Sequence, residues 1–214
     1  MLTHLALPAP DYMPSPWPFL SLLGDSRLLL PMAAVLLIAG WHAASPWRIR
    51  WALALSAVGL IVLASKLAFL GWGIGVARLD FTGFSGHAAL SAAIWPVTAY
   101  IAAPTHRSGR WTALLGLVLA FAVGYSRLPL NAHSWSEVIA GSALGTLGSA
   151  WTLAATATSA RRPRARWAAL ALVVGCCMPV LFPQVRTHQL VVQMAKTLSG
   201  AAKEFDRSAL HGRK

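Results

Sequence analysis

Residues 51–73 read WALALSAVGLIVLASKLAFLGWG, a run of 23 positions in which Lys66 is the one ionisable side chain. A helix needs about 20 apolar residues to cross the hydrocarbon core of a bilayer, so this stretch predicts a transmembrane helix. Five further runs come near the same standard: 28–44, 86–103, 111–127, 136–158 and 167–183, of which 111–127 and 167–183 are short. The six runs occupy more than half of the chain and therefore form one bundle, not separate domains. The expected fold is all-α, a polytopic membrane bundle of about six transmembrane helices. Composition agrees, with 57% hydrophobic and only 11% charged residues and a mean hydropathy of +0.59. A soluble domain carries about 25% charged residues to wet its surface. A soluble enzyme, a disordered chain and a secreted disulfide scaffold are excluded.

The formal charge of +12 does not point to nucleic acid. Such a partner requires basic residues gathered on one exposed face, whereas these sit in short clusters between apolar runs. Arg48 and Arg50 fall in one connection, Arg107 and Arg110 in a second, and Arg161, Arg162, Arg164 and Arg166 in a third. With six spans these connections share one side, which the positive-inside rule makes cytoplasmic. The opposite connections carry Arg78 and Arg127 as their basic residues, with Asp80. Trp47, Trp51, Trp111 and Trp167 flank the arginine clusters as an interfacial aromatic belt would. Cys176 and Cys177 are adjacent in an apolar run and read as small core hydrophobes. No Lys or Arg precedes Arg27, so a signal peptide with a basic n-region is not expected.

The chain divides into a Pro-rich N-terminal arm and interfacial segment over 1–27, a transmembrane domain over 28–183, and a basic tail over 184–214. Five prolines between Pro8 and Pro18 predict an irregular arm. In the tail, Leu190, Val191, Met194, Leu198, Ala201, Ala202 and Phe205 fall near one helical face and Lys196, Lys203 and Arg207 elsewhere. That pattern predicts an amphipathic helix at the membrane surface. Six spans would put this basic tail outside the cytoplasm, against the charge rule, so either the tail is long enough to escape that rule or the run containing Pro179 and Pro183 stops short of crossing.

Ionisable side chains at membrane depth cost about 2.5–3.5 kcal/mol each on insertion scales, and so mark function. Lys66, Arg127 and Glu137 lie toward the non-cytoplasmic ends of their spans, where Arg78, Asp80, His87 and His133 also fall. Two local motifs stand among them. Gly83-Phe84-Ser85-Gly86-His87 precedes an apolar run, with Ser85 as N-cap and helix-start amides suited to an anion. Ser126-Arg127 is followed after five residues by His133 and after three more by Glu137. Four residues apart on a helix, His133 and Glu137 share a face. The carboxylate can accept one imidazole N–H and leave the other nitrogen to attack, while the planar fork of Arg127 suits phosphate oxygens.

In order and spacing, Lys66, Ser85-Gly86-His87 and Ser126-Arg127-x5-His133-x3-Glu137 resemble the three-part signature of the type 2 phosphatidic acid phosphatase, or lipid phosphate phosphatase, superfamily. The resemblance covers roughly residues 60–150 at the level of motifs. Three positions depart from it. Gly73 stands where the first motif has Arg, and the next arginine is Arg78; Phe84 stands where Pro is usual; Glu137 replaces Asp and keeps the carboxylate.

The resemblance implies a two-step phosphoryl transfer without metal or other cofactor. His133 would be the nucleophile, Glu137 its orienting carboxylate and His87 the acid for the leaving group. Lys66, Arg127, Ser85 and the amide of Gly86 would hold phosphate oxygens, with Lys66 alone carried over from the first motif. The implied partner is a lipid-anchored phosphate in the bilayer, such as polyprenyl pyrophosphate, phosphatidylglycerol phosphate or phosphatidic acid. The implied place is a bacterial inner membrane, multi-pass, with the site on the periplasmic side. Two other classes compete. Gly83-Phe84-Ser85-Gly86 is also similar to the Gly-x-Ser-x element of rhomboid-type intramembrane proteases, in which Lys66, Arg127 and Glu137 would have no task. A transporter or structural bundle would instead carry polar groups at mid-membrane.

Overall fold

The computed structural model describes residues 15–39, 46–156, 165–185 and 187–212. The first part of the Pro-rich arm, His4, His42, Arg161, Arg162 and Arg164 lie outside the described residues. The chain is all-helical: α1 (Trp17–Leu22), α2 (Ser26–Ile38), α3 (Pro46–Trp72), α4 (Gly86–Ala102), α5 (His106–Ser126), α6 (Trp135–Thr156), α7 (Ala165–Leu181), α8 (Thr187–Ser199) and α9 (Arg207–His211), with a 3₁₀ turn at Ala77–Leu79. Among the described residues there is no strand, only an isolated bridge between Val76 and Phe81.

Four segments are long and apolar enough to cross a membrane, against the six expected: Trp17–Ile38, α3, α5 and α6. The first begins earlier than the sequence suggested, because α1 and α2 follow each other closely. Pro18 sits in the first turn of α1, where its missing N–H costs nothing, so the described end of the arm is helical. Helices α4 and α7 have 17 residues each. Helix α4 is the central helix, with 12 of its 17 residues buried by its neighbours.

Small residues let the other helices close on α4. A Cβ on Gly116 of α5 would lie 2.7 Å from the Trp95 carbonyl oxygen, and one on Gly141 of α6 would lie 2.7 Å from that of Ser85. Gly145, four residues on, faces the Ala89 carbonyl still more closely. This is the small-xxx-small packing of membrane helices, in which backbone approach replaces the hydrophobic effect as the source of attraction. Gly145→Ala should therefore lower stability by about 1–3 kcal/mol through overpacking. Gly59→Ala, with no atom within 4 Å of the added methyl, should be neutral or slightly stabilising because Ala is the better helix former. Thermal unfolding of the two variants in detergent checks the contrast.

Large apolar side chains face outward along the bundle, among them Leu53, Leu60, Leu115, Val118 and Leu147. Two sequence expectations fail here. Trp47 and Trp51 belong to the core and not to an interfacial belt, and the indole N–H of Trp51 donates to the Ala93 carbonyl at 3.1 Å. Trp111 does face outward, 67% exposed. Cys176 and Cys177 are exposed, not buried. Helix α7 buries only the stripe Ala168, Ala171 and Gly175, which lies against α2, and the cysteines fall beside it.

The two ends of the bundle differ chemically. At one end Arg48 donates to the Leu37 carbonyl, the Arg50 guanidinium lies 5.7 Å from the Trp151 ring centroid, and Tyr100 bonds His106 at 2.6 Å. The other end gathers the start of α2, the end of α3, the starts of α4 and α6, and the end of α7. Arg27 donates to the Pro183 carbonyl at 3.1 Å, and Ser26 and Thr187 bond through their hydroxyls at 2.7 Å. Helix α7 thus runs the length of α2 and delivers the tail to this second end. There α8 buries Val191 and Ala195, the latter packing on Gly71 of α3, while Leu190, Met194 and Leu198 remain exposed on the adjacent stripe.

Candidate active site

The site is built around the start of α6. Ser134 and Glu137 form a reciprocal cap: the Ser134 hydroxyl accepts from the Glu137 amide at 3.4 Å, and Glu137 Oε2 accepts from the Ser134 amide at 3.2 Å. This S-x-x-E box satisfies two helix-start donors and fixes the carboxylate. His133 precedes the helix, in the turn that follows Asn131, whose φ of 52° lies in the left-handed region. Its Nδ1–H still reaches Glu137 Oε2 at 2.6 Å, the ring being 15% and the carboxylate 0% exposed. Because a carboxylate can only accept, the bond holds the proton on Nδ1 and leaves Nε2 with a lone pair.

Glu137 Oε1 accepts from both the amide and the hydroxyl of Thr82, at 2.8 and 2.5 Å. The loop that supplies Thr82 continues through Gly83, at φ +147°, a conformation that favours glycine. The Phe84 amide then donates to Ser65 Oγ of α3 at 3.2 Å, and the Ser85 amide donates to the Glu137 carbonyl at 3.1 Å. Ser85 is fully buried and caps α4, its Oγ accepting from the Ala88 amide at 3.5 Å. Lys66, one residue beyond Ser65, has its Nζ 3.8 Å from where a side chain on Gly86 would begin. The amide-rich start of α4 therefore has a lysine beside it.

Arg127 caps the end of α5 and donates to the Ser21 hydroxyl of α1, while its Nε is buried without a hydrogen-bond partner among the described residues. His87, in the first turn of α4, packs against Gly24, where a Cβ would meet its ring at 3.0 Å. Lys66, Arg127, His133 and Asp25 are all close enough to act on it electrostatically. Lys66, Ser85, Gly86, His87, Arg127, His133 and Glu137, which span 72 positions of the sequence, thus meet at one end of the bundle. Ser126 does not join them, since its hydroxyl turns back to the Val123 carbonyl. Arg78 is exposed on the 3₁₀ turn.

Sequence reasoning missed several participants. Asp25, the N-cap of α2, is a third acid at this end and is held by Arg27 at 2.7 Å. Ser134 was legible from its S-x-x-E pattern, but Thr82, Ser65 and Ser21 carry no local signal. The largest omission is Arg207 of the tail, whose guanidinium contacts both oxygens of Glu137 at 3.0 and 2.9 Å and Asp80 at 2.5 Å. Burial opposes the Arg207 charge, but the two carboxylates outweigh it and raise its affinity for the proton.

Burial pushes the His133 pKa below its ordinary value, with Lys66 and Arg127 acting the same way and Glu137 opposing them. A lowered value means that His133 takes up its blocking proton only at more acid pH. If Nε2 is the nucleophile, the acid limb of kcat/KM belonging to His133 should fall below the ordinary histidine pKa of about 6.5. A pH–rate profile between pH 4 and 8 checks this, and a limb above 6.5 would contradict it.

A family model described as PAP2 superfamily matches residues 78–161, which hold the second and third motifs but neither Lys66 nor the tail. A Klebsiella pneumoniae protein named "Uncharacterized 22.5 kDa protein in cps region" is 40% identical over 208 residues, covering 91% of this chain and 97% of its own. No solved structure matches.

Proposed function

The chain belongs to the PAP2 superfamily, and on that premise we propose that it is an integral-membrane lipid phosphate phosphatase working through a phosphohistidine and needing no metal. Family membership supports a phosphatase-type activity in a membrane-embedded helical protein. The finer reading rests on one observation. The buried His133–Glu137 pair shares its end of the bundle with Lys66 and Arg127, two cations from other helices that no described carboxylate pairs with directly.

In the first step His133 Nε2 attacks phosphorus in line with the leaving oxygen. The N–P bond forms as the P–O bond breaks, and His87 gives its proton to the departing oxygen. The imidazolium that develops is stabilised by Glu137 across the 2.6 Å bond. Lys66, the Arg127 fork, the Ser85 hydroxyl and the Gly86 amide hold the other phosphate oxygens, where charge must be compensated. In the second step water attacks phosphorus, His87 takes its proton, the N–P bond breaks and phosphate leaves. Cationic donors of this kind suit an anion and repel a divalent metal, which supports the metal-free reading.

A lipid substrate is favoured by an apolar cavity of about 690 Å³ between α5 and α6, lined by Phe121, Tyr125, Trp135, Val138, Ile139 and Leu147. It opens sideways, and Val138 is next in the chain to Glu137, so a hydrocarbon tail lying there would keep its headgroup beside the site. With α4 and α7 also taken as crossings, beside the four segments long and apolar enough to span, the positive-inside rule favours a site on the periplasmic face of a bacterial inner membrane. The protease reading is disfavoured because Ser85 bonds no histidine among the described residues, and a serine nucleophile needs a base to take its proton.

The test is phosphate release by the purified protein from polyprenyl pyrophosphate, phosphatidylglycerol phosphate and phosphatidic acid, with a chelator present and vanadate as inhibitor. Release from at least one lipid, stopped by vanadate, is expected. Absence of release from all three, or release that requires a divalent cation, would overturn the proposal.

A further inference from the structure

The tail is not an appendage. Beyond α7 the chain returns across the end of α3, and α9 is fixed there by independent contacts. The Phe205 amide donates to the Leu70 carbonyl at 3.0 Å, at the end of α3. Leu210 is buried near Phe69 and Gly75, with a Cβ on Gly75 falling only 2.8 Å from its Cδ1. Asp206 caps α9 by accepting from the amides of Ser208 and Ala209 at 2.9 and 3.2 Å. A Lys196–Glu204 ion pair at 2.6 Å ties α8 to the connecting turn.

What this anchoring delivers is one guanidinium. Arg207 Nη1 donates to the backbone carbonyl of Asp80 at 3.0 Å and to its side chain at 2.5 Å, while Nη2 straddles both oxygens of Glu137. Asp80 sits at φ 49°, an uncommon conformation for a residue with a side chain, and presents both groups to the same nitrogen. Every remaining donor to Glu137 comes from the loop before α4 or from the turn before α6. Among the described residues, Arg207 is the one partner that spans Oε1, bonded to Thr82, and Oε2, bonded to His133. It therefore fixes the tilt of the carboxylate against the histidine.

We propose that Arg207 is a positioning residue for the reaction, a side chain of the C-terminal tail that locks Glu137 and, through it, aims His133. The inference rests on the phosphatase reading of the same site. Its second consequence is electrostatic. His133 is faced by Glu137 on α6, Lys66 on α3, His87 on α4 and Arg127 at the end of α5, while Arg207 on α9, itself paired with Asp80 of the α3–α4 loop, acts on it through Glu137. Removing Arg207 leaves Lys66, His87 and Arg127 as they are and takes away the guanidinium that contacts both oxygens of Glu137. His133 must then hold a proton more tightly.

Arg207→Gln should lower kcat by about tenfold to 100-fold, as a small misalignment of reacting groups does, while KM for the lipid changes by less than about threefold. The acid limb of the pH profile should move upward by about half to one unit. Arg207→Lys should restore the limb but only part of kcat, because an ammonium keeps the charge and loses the fork. Leu210→Ala, which loosens the anchor without touching Glu137, should reproduce the kcat loss in milder form. Thermal unfolding in detergent separates these effects from loss of fold. A ¹⁵N-histidine NMR titration in micelles reads the His133 shift with no substrate present. An unchanged His133 titration in Arg207→Gln overturns the proposal even in an active phosphatase, as does a raised KM with kcat intact, which would make Arg207 a substrate ligand. A shifted titration in a protein that hydrolyses no lipid phosphate leaves the positioning contact standing and overturns the phosphatase reading instead.

Discussion

His133→Ala should reduce phosphate release by about 10⁴-fold or more, the scale seen when a covalent nucleophile is removed and only binding and electrostatic stabilisation remain. The size of the effect follows from the geometry. His133 is the residue whose nitrogen is both oriented by a buried carboxylate, at 2.6 Å, and left with a lone pair. No neighbouring group can replace it, since His87 lies on another helix without a described carboxylate bonded to its ring. The fold should tolerate the change, because His133 lies in a turn and Glu137 keeps Thr82, Ser134 and Arg207. Near-normal melting with turnover lost is the expected pair of results. Substrate binding should persist, and acid-labile ³²P bound to the wild-type protein during turnover should be absent from the variant. Normal activity in His133→Ala would falsify the covalent mechanism.

Glu137→Gln should cost nearly as much, about 10³–10⁴-fold in kcat. The amide has the shape of the carboxylate but offers an N–H₂ where only acceptors were tolerated. Each Glu137 oxygen receives hydrogen bonds from groups that can only donate or are already committed to donating: the Thr82 amide, the Ser134 amide, the Arg207 guanidinium and His133 Nδ1–H. Whichever way the glutamine turns, one of its donors meets another donor. If it turns toward His133, the imidazole must move its proton to Nε2, the nitrogen that has to attack, and the tautomer is wrong for reaction. An equivalent acid-to-amide change beside a catalytic histidine in serine proteases lowers kcat by about 10⁴-fold for this reason. Glu137→Asp keeps the charge and should retain measurable activity. A ¹⁵N-histidine spectrum that still shows the proton on Nδ1 in Glu137→Gln, together with undiminished turnover, would sink the argument.

Much of the site was legible because its signals are local. Lys66 is conspicuous as the sole charge in a long apolar run. His133 and Glu137 are four residues apart, and Ser85 stands directly before an apolar helix. Each of these patterns depends on neighbours in the chain, for which helical geometry dictates where side chains go. Even here the His133–Glu137 contact forms by a different route from the one expected: His133 precedes α6, and a capping box, not a shared helical face, brings Glu137 to it. The errors have a common source. Trp47 and Trp51 looked interfacial by their place beside arginines, and the cysteines looked buried by their apolar surroundings. Which face of a membrane helix meets protein is decided by its neighbours, and lipid-facing and protein-facing residues are equally apolar.

Sequence alone, through hydropathy, loop charge and the spacing of three motifs, determined that this is a membrane helix bundle in which Lys66, His87, His133 and Glu137 gather at one end as a candidate site. Those properties are local or additive along the chain. Tertiary structure decided that α4 is the central helix, that α7 carries the tail to the site end, and that Arg207 bridges Asp80 and Glu137. No periodicity reports such a contact, because Arg207 and Glu137 are 70 residues apart. Their meeting depends on how closely α8 can approach the end of α3 at Gly71, and α9 the loop after it at Gly75. That approach is a matter of steric fit between distant segments, and it exists only once the chain has folded.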